Sequence, residues 1–291
     1  MNSDIFITVA SWEERFWLGF EREMNQYSPA NVLMYYYKEY AERTSSHREK
    51  VKQLCEKKGI GFHPYEVSFK EGKESWKILY ETLTELKVTK KTITLDITTM
   101  PRETIWTILN LLDERDAEIK YIYYKPEGYH EEWLSRNADK PRIVYKMGGI
   151  AKLGVPTKLV ILTGYDVDRV QQLIDFFEPE ATFLGIQTGN QLDNQNRNIA
   201  RHQKFKNEPD VILFDVDAYS EDRGFAAIEQ QISGHVKHLN VIMSSLGPKL
   251  SAIALYKIHK RYPDTALAYA PSKEFNPEYS HGIGETVVGL L

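Results

Sequence analysis

A strand turns into a helix within residues 95–112, which read LDITTMPRETIWTILNLL. The same order recurs in residues 241–258, which read VIMSSLGPKLSAIALYKI. In both stretches hydroxyl side chains close the strand, a proline follows, and a basic residue stands one position after the proline. Apolar residues then repeat at the i, i+3, i+4 spacing of a helix that packs on a core. The predicted core positions are Ile105, Ile108, Leu109 and Leu112 in one copy and Leu250, Ile253, Ala254 and Ile258 in the other.

Short β-branched and aromatic runs alternate with amphipathic segments along the chain, which is typical of βα units in a mainly parallel sheet. The predicted strands are 5–9, 31–37, 62–68, 92–97, 119–124, 158–163, 182–187, 210–215, 240–244 and 265–270. The predicted helices include 12–24, 74–86, 167–177 and 223–236. Five features recur in the same order in the two halves, which indicates an internal duplication. The predicted fold is therefore α/β, with two tandem Rossmann-like lobes.

Proline and glycine residues concentrate between the halves, at Pro141, Gly148, Gly149 and Gly154. Such residues interrupt helices and strands, so this stretch is predicted to connect the two halves. The predicted division is an N-terminal lobe over residues 1–137, a linker over 138–156 and a C-terminal lobe over 157–291.

Composition excludes several classes of protein. The 291 residues include 37 basic and 41 acidic side chains, a formal charge of −4 that does not favour generic binding to duplex DNA. The single cysteine, Cys55, cannot form an intramolecular disulfide, and the start of the sequence does not resemble a signal peptide. No run of apolar residues is long enough to span a membrane, so a cytoplasmic location is expected.

Both strand-to-helix turns could hold an anion. The amides and the dipole at the start of a helix favour a negative group, and open α/β sheets bind ligands beyond the carboxyl ends of their strands. The alternative is that the hydroxyl residues only cap the helices. The predicted ligand-binding residues are Ser11, Thr98, Thr99 and Arg102 in the first half and Thr163, Ser244, Ser245, Gly247 and Lys249 in the second. Arg43, His47 and Arg197 are secondary candidates from the polar segments after the second strand of each half.

Catalytic motifs are short and incomplete. Residues 197–202, RNIARH, match the R-N-x-x-x-H pattern of HEPN ribonucleases, and residues 211–217, VILFDVD, resemble the D-x-D strand end of haloacid-dehalogenase-like phosphatases. The alternatives are a polar connecting helix for residues 197–202 and a plain pair of aspartates at the sheet edge for residues 211–217. If the chain is an enzyme that acts on a bound phosphate ester, His202, Asp215 and Lys249 are the candidate catalytic residues. No cofactor and no metal are predicted, because the sequence has neither a GxxxxGK[ST] or GxGxxG loop nor an HxxxH pair.

The stretch 241–258 is similar to the strand, loop and helix of CARF domains, which are Rossmann-like sensors of cyclic oligonucleotides in prokaryotic immunity. Ser245, Gly247 and Lys249 match the hydroxyl, glycine and lysine of that loop, whereas Pro248 departs from it. Two such lobes in tandem resemble the SAVED arrangement. The resemblance implies a nucleotide or another phosphorylated ligand between the lobes and a role in antiviral defence, with output through an effector protein or self-assembly.

Two other functions stay open on the sequence. The chain could be a nucleotide-processing enzyme, such as a ring nuclease or hydrolase, or a structural subunit of a larger assembly. A sensor would return its nucleotide intact, whereas an enzyme would convert it to a product, so a turnover measurement distinguishes these two functions. A structural subunit would show no thermal stabilisation by nucleotides, because only a ligand that prefers the native state raises the melting temperature.

Overall fold

The computed structural model describes residues 4–189 and 195–291. The first set of repeats has five strands and four helices, which run β1 (Ile5–Val9), α1 (Glu14–Gln26), β2 (Asn31–Tyr37), α2 (Ala41–Lys58), β3 (Gly61–Val67), α3 (Gly72–Glu85), β4 (Thr92–Asp96), α4 (Arg102–Asp113) and β5 (Glu118–Tyr124). Three short strands follow, β6 (Gly128–Tyr129), β7 (Ser135–Ala138) and β8 (Arg142–Ile143).

The second set of repeats runs β9 (Thr157–Leu162), α5 (Val167–Phe177), β10 (Ala181–Gln187), α6 (Gln195–His202), β11 (Val211–Val216), α7 (Phe225–Ile232), β12 (Asn240–Ser245), α8 (Lys249–Arg261) and β13 (Ala266–Tyr269). A short 3-10 helix at Gln203–Asn207 connects α6 to β11. The chain ends with β14 (Ser272–Phe275), β15 (Ser280–His281) and β16 (Thr286–Leu290).

Each set of repeats builds one six-stranded sheet. The strand orders are β16-β5-β4-β1-β2-β3 and β11-β10-β9-β12-β13-β8, so the five main strands of the two sheets follow the same order. Within these two sheets the main neighbours pair in parallel, while β16 on β5 and β8 on β13 are antiparallel. The predicted α/β fold with two Rossmann-like, mainly parallel lobes is confirmed, and the shared topology is what an internal duplication produces.

The predicted helix faces form part of the core. All eight predicted core positions of α4 and α8 are fully buried. In the first unit α1 packs Phe16, Phe20 and Met24 against Phe6 of β1. In the second, α5 packs Val170 and Leu173 against Leu159 and Ile161 of β9. Burial of such side chains contributes about 1.5 to 3 kcal/mol each, which makes these interfaces the main source of stability.

The unit boundaries differ from the predicted ones. The chain divides into one unit of Met1–Glu132 with Asn276–Leu291 and a second of Trp133–Phe275. The tail belongs to the first unit because β16 pairs with β5, and β15 pairs with β6. The predicted linker over residues 138–156 is packed into the second unit, where β8 pairs with β13 and the side chains of Val144 and Met147 are buried.

Candidate functional site

The strand order of each sheet reverses at one place, between β1 and β4 in the first unit and between β9 and β12 in the second. Rossmann-like folds bind ligands at this place, beyond the carboxyl ends of the strands. We call residues 10–12 with 97–102 the first switch point and residues 163–165 with 244–249 the second. The predicted ligand-binding residues lie here: Ser11, Thr98, Thr99 and Arg102 at the first, and Thr163, Ser244, Ser245, Gly247 and Lys249 at the second.

The threonines of the first switch point are engaged in internal hydrogen bonds. The Thr98 hydroxyl accepts a hydrogen bond from the backbone N–H of Tyr124 at 3.1 Å, and Thr98 is fully buried. The Thr99 hydroxyl donates to the carbonyl oxygen of Val9 at 3.2 Å. These bonds tie the turn after β4 to the ends of β1 and β5, so both hydroxyls have a structural role.

A buried carboxyl group lies beneath this turn. Asp96 accepts hydrogen bonds from the Thr8 hydroxyl at 3.1 Å and from the Thr98 backbone N–H at 3.0 Å. Burial raises the pKa of Asp96 above its ordinary value, and the hydrogen bonds from Thr98 and Thr8 offset only part of this effect. At the first switch point, therefore, the Asp96 carboxyl group favours its neutral form. The hydroxyl groups of Thr98 and Thr99 are already hydrogen-bonded within the protein.

The secondary candidates of the first unit also contact its switch point. His47 Nδ1 donates to the carbonyl oxygen of Ser11 at 2.8 Å, while the Ser11 hydroxyl accepts from the backbone N–H of Glu13 at 3.2 Å. The guanidinium of Arg43 stacks 3.8 Å from the ring centroid of Trp12. The sequence analysis selected the two basic residues but not Trp12, although its position three residues after the end of β1 was an available signal.

The second switch point differs from the first in the hydrogen bonding of its hydroxyl groups. The Thr163 hydroxyl donates to the carbonyl oxygen of Gly185 at 2.9 Å, much as the threonines of the first unit do. Ser244 and Ser245 are buried, and among the described residues their hydroxyl oxygens have no hydrogen-bond partner. An unsatisfied buried hydroxyl costs about 1 to 3 kcal/mol, so two of them at one strand end are unusual.

The turn after β12 approaches the turn after β9 closely. The backbone N–H groups of Leu246 and Gly247 both donate to the carbonyl oxygen of Leu162, at 2.8 and 3.2 Å. A side chain at position 247 would place its Cβ 2.6 Å from the carbonyl oxygen of Thr163, and one at Gly164 would overlap the carbonyl oxygen of Leu246. Both glycines are therefore required by the close approach of the two backbones.

Two further polar side chains pack under this turn. Gln187 Nε2 donates to the Ser251 hydroxyl at 3.3 Å, and the Ala218 backbone N–H donates to Gln187 Oε1 at 3.4 Å. Both side chains are buried. Sequence reasoning did not select either of them, although Gln187 ends a predicted strand and Ser251 stands two residues after Lys249.

The helices that leave the two turns begin alike. Pro101 and Pro248 are the N-cap residues, with extended ψ angles of 144° and 155° and no side-chain cap. Arg102 and Lys249 follow as the first helical residues, and both are half-buried. The residue that caps each helix is thus a proline rather than a hydroxyl residue, so the predicted alternative of serine or threonine caps is wrong.

The catalytic candidates do not form one cluster. His202 and Asp215 line a groove of about 320 Å³ between α6 and β11, whereas Lys249 is not among its lining residues. The His202 side chain is 1% exposed, and its ring stacks 6.1 Å from that of Phe205. The side chain of Arg197 lies outside the described residues.

No helix in the described ranges is long and apolar enough to cross a membrane. Within the same ranges, no three His, Cys, Asp or Glu side chains lie close enough together to hold a metal ion.

Known proteins offer little for comparison. No protein-family model matches the chain, and no curated protein matches it. The cytoplasmic domain of a prokaryotic cation chloride cotransporter is similar at a TM-score of 0.32 and 10% identity, over 95% of this chain and 99% of that one. A universal stress protein from Archaeoglobus fulgidus is similar at a TM-score of 0.27 and 11% identity, over 92% and 96%. TM-scores this low do not establish a shared fold or function. The fold assignment rests on the strand order described above.

Proposed function

We propose that this protein binds or senses a nucleotide or another phosphorylated small molecule, and that the second switch point holds a phosphate group. The observation that carries the proposal is the pair of buried serine hydroxyls at the end of β12 that have no partner among the described residues. They lie directly before a helix that begins with Lys249. A phosphate offers acceptor oxygens to hydroxyls, to a lysine and to the N–H groups of a helix start.

The two hydroxyls are assigned different roles. Consecutive strand residues point to opposite faces of a sheet. Ile242 packs on the core cluster that contains residues of α5, so Ser244 shares the α5 face and Ser245 points to the other face. We assign the phosphate to Ser245 and Lys249, and Ser244 then serves as a matched comparison.

Access to Ser245 requires the turn after β12 to move, because the hydroxyl is enclosed. The turn contains Gly247, and the hydrogen bonds of Leu246 and Gly247 to Leu162 are the contacts that would change. A ligand that binds only the moved turn shifts the population of the two states, which is the physical basis of a sensor.

The CARF-like assignment of the second unit belongs to this proposal, supported by Ser245, Gly247 and Lys249 at the strand-to-helix turn. A role in antiviral defence and an effector protein or self-assembly as the output rest on the resemblance alone, and a cytoplasmic location is the expectation from the sequence. They are part of the same proposal.

The test is calorimetric titration with inorganic phosphate, ATP, AMP and cyclic oligoadenylates, with the nucleotide checked for cleavage afterwards by mass spectrometry. We expect one nucleotide to bind and to be recovered intact. Lys249→Ala and Ser245→Ala should each weaken it by about ten- to a hundredfold, the loss of one charge-assisted bond, while Ser244→Ala should have little effect.

Three results would contradict parts of the proposal. Unchanged affinity in both Lys249→Ala and Ser245→Ala would remove the second switch point as the phosphate site. A loss confined to Arg102→Ala would move the phosphate to the first switch point. Cleavage of the nucleotide would show that the protein is an enzyme and not a sensor.

A further inference from the structure

The second sheet ends in an unusually apolar edge strand. β11 is the outermost strand of its sheet, and its sequence VILFDV contains one polar residue, Asp215. Ile212 and Leu213 are 46% and 36% exposed. The equivalent edge strand of the first sheet, β3, carries Pro64 and Glu66, which are ordinary protections against strand pairing. β11 has no proline, and within the described ranges no strand pairs with its outer edge.

The open part of this edge is short and well defined. The Thr182 N–H donates to the Asp210 carbonyl and the Thr188 N–H to the Val216 carbonyl, so even-numbered residues of β11 pair with β10. Odd-numbered residues therefore direct their N–H and C=O groups outward. At the start of the strand one of these groups is satisfied, because the Val211 N–H donates to the Glu208 carbonyl.

The same holds after the strand, where the Asp217 carbonyl accepts from the Ser220 N–H. The outward groups that stay available in the described structure include the N–H and C=O groups of Leu213 and Asp215. These two residues offer two donors and two acceptors, enough for a short run of strand pairing.

A groove adjoins this edge. It has a volume of about 320 Å³ and lies between β11 and α6. Ile186, Ile199, Leu213 and Phe214 give it apolar walls, and Asp215 lines the groove as well. One large side chain of an added strand fits such a space.

We propose that the edge of β11 binds an extended segment of a partner protein by strand addition, with one large apolar side chain in the groove and basic residues flanking it. Specific dimers bury about 1,600 Å² in total, which two outward residues and one groove do not provide. A short peptide that adds one strand and fills one pocket needs much less.

The charge around the strand selects the flanking residues. Glu208, Asp210 and Asp215 are exposed along β11 and its approach. Lys206 is the basic residue of the groove, and it belongs to the helical wall rather than to the strand. The acidic strand favours Lys or Arg in the added segment and disfavours a second copy of this chain, which would bring like charges together. The proposal does not depend on the phosphate site.

The test is selection from a displayed library of random heptapeptides on the intact protein, followed by anisotropy titration of the enriched peptides. We expect sequences with one large apolar residue between basic residues. Leu213→Pro removes one outward N–H without touching the ladder to β10, and should weaken these peptides by about tenfold or more. Lys204→Ala, on the exposed 3-10 helix, is the control and should bind as the unchanged protein does.

A second variant keeps the test valid if Leu213→Pro lowers the melting temperature. Asp215→Lys should change the selected charge at the flank that faces residue 215, so that a basic residue there is no longer enriched. The proposal is overturned if no sequence is enriched, or if the enriched peptides bind Leu213→Pro and Asp215→Lys unchanged. It is also overturned if sedimentation shows a dimer of this chain that Leu213→Pro dissociates.

Discussion

Arg15 and Arg169 hold equivalent places in the two units. Arg15 Nη1 donates to the carbonyl oxygen of Tyr124 at 3.1 Å, and Arg169 Nη1 donates to that of Ala270, also at 3.1 Å. In each unit the arginine belongs to the first helix and the carbonyl lies at the end of the fifth main strand. This shared contact supports the duplication more specifically than the strand order does.

The acidic partners of these arginines are also equivalent. Arg15 Nε pairs with Glu13 at 2.9 Å and Arg169 Nε with Asp166 at 2.8 Å. A serine completes each network: Ser280 donates to Glu13 in the first unit, and Ser135 bonds to Asp166 and Arg169 in the second. The side chains of the two ion pairs are at most 14% exposed. Both networks therefore connect the start of the first helix to the end of the fifth main strand.

The first prediction concerns this buried ion pair. Arg169→Ala should lower the free energy of unfolding by about 3 to 5 kcal/mol, because it leaves the carboxylate of Asp166 enclosed without its cation. Urea denaturation followed by circular dichroism measures the change. Arg261→Ala is the matched control, since its ion pair with Glu229 is exposed at the arginine and is expected to contribute less than about 1 kcal/mol. Equal losses in the two variants would contradict a structural role for Arg169.

The second prediction concerns the pH dependence of stability at Asp96. Burial raises its folded-state pKa above the ordinary value of 3.8. The folded protein therefore holds this proton more tightly than the unfolded chain does. The stabilising contribution is complete below the unfolded pKa and is lost as pH rises through the folded pKa. Asp96→Asn, which cannot ionise, should gain stability relative to the unchanged protein as pH rises from about 4, by at most about 1.4 kcal/mol per pH unit.

Asp222 is the control with the opposite sign. Burial alone would raise its pKa, but hydrogen bonds from Ala226, Ser220 and Gly224 outweigh burial and lower it. Its contribution is present above the unfolded pKa and is lost as pH falls through the folded pKa. Asp222→Asn should therefore lose stability relative to the unchanged protein as pH rises. Denaturation curves at several pH values measure both variants, and parallel pH profiles for the two would contradict the Asp96 prediction.

The sequence predicted the parts of the fold that local pattern determines. All ten predicted strands exist within one or two residues, because buried parallel strands are continuous runs of β-branched and aromatic residues. The tail was assigned to the wrong unit because β15 and β16 pair with strands far away in the chain. Pairing between distant segments leaves little signal in a short polar strand such as β7, which reads SRNA.

The candidate site was predictable in position but not in chemistry. The carboxyl ends of β4 and β12 follow from the order of strands and helices, so Thr98 and Ser245 could be selected from the sequence. Their opposite hydrogen-bond states could not be, because Thr98 bonds to Tyr124, a residue of another strand. The equivalent pairs of Arg15 and Arg169 were also missed, since Glu13 precedes its arginine by two residues and Asp166 by three.

The third prediction concerns Cys55, which is fully buried in the core of the first unit. Burial raises the pKa of its thiol to about 12, with a smaller contribution from the charge of Glu56. At pH 8 the native thiol should react with a disulfide reagent roughly a thousandfold more slowly than in urea, because the reactive thiolate is scarce and enclosed. Absorbance of the released thiolate measures both rates. Similar rates with and without urea would show that the core of the first unit does not enclose this residue.

The fourth prediction tests the close approach of the turns at the second switch point. Gly164→Ala introduces a Cβ that overlaps the carbonyl oxygen of Leu246, a backbone atom that cannot move without displacing the turn after β12. The variant should lose about 3 kcal/mol or more of unfolding free energy. Gly234→Ala is the control, because a Cβ there meets no atom within 4 Å, and it should be neutral or slightly stabilising. If Gly164→Ala instead unfolds at the same urea concentration as Gly234→Ala, the prediction is wrong, and the close approach of the two turns does not restrict residue 164.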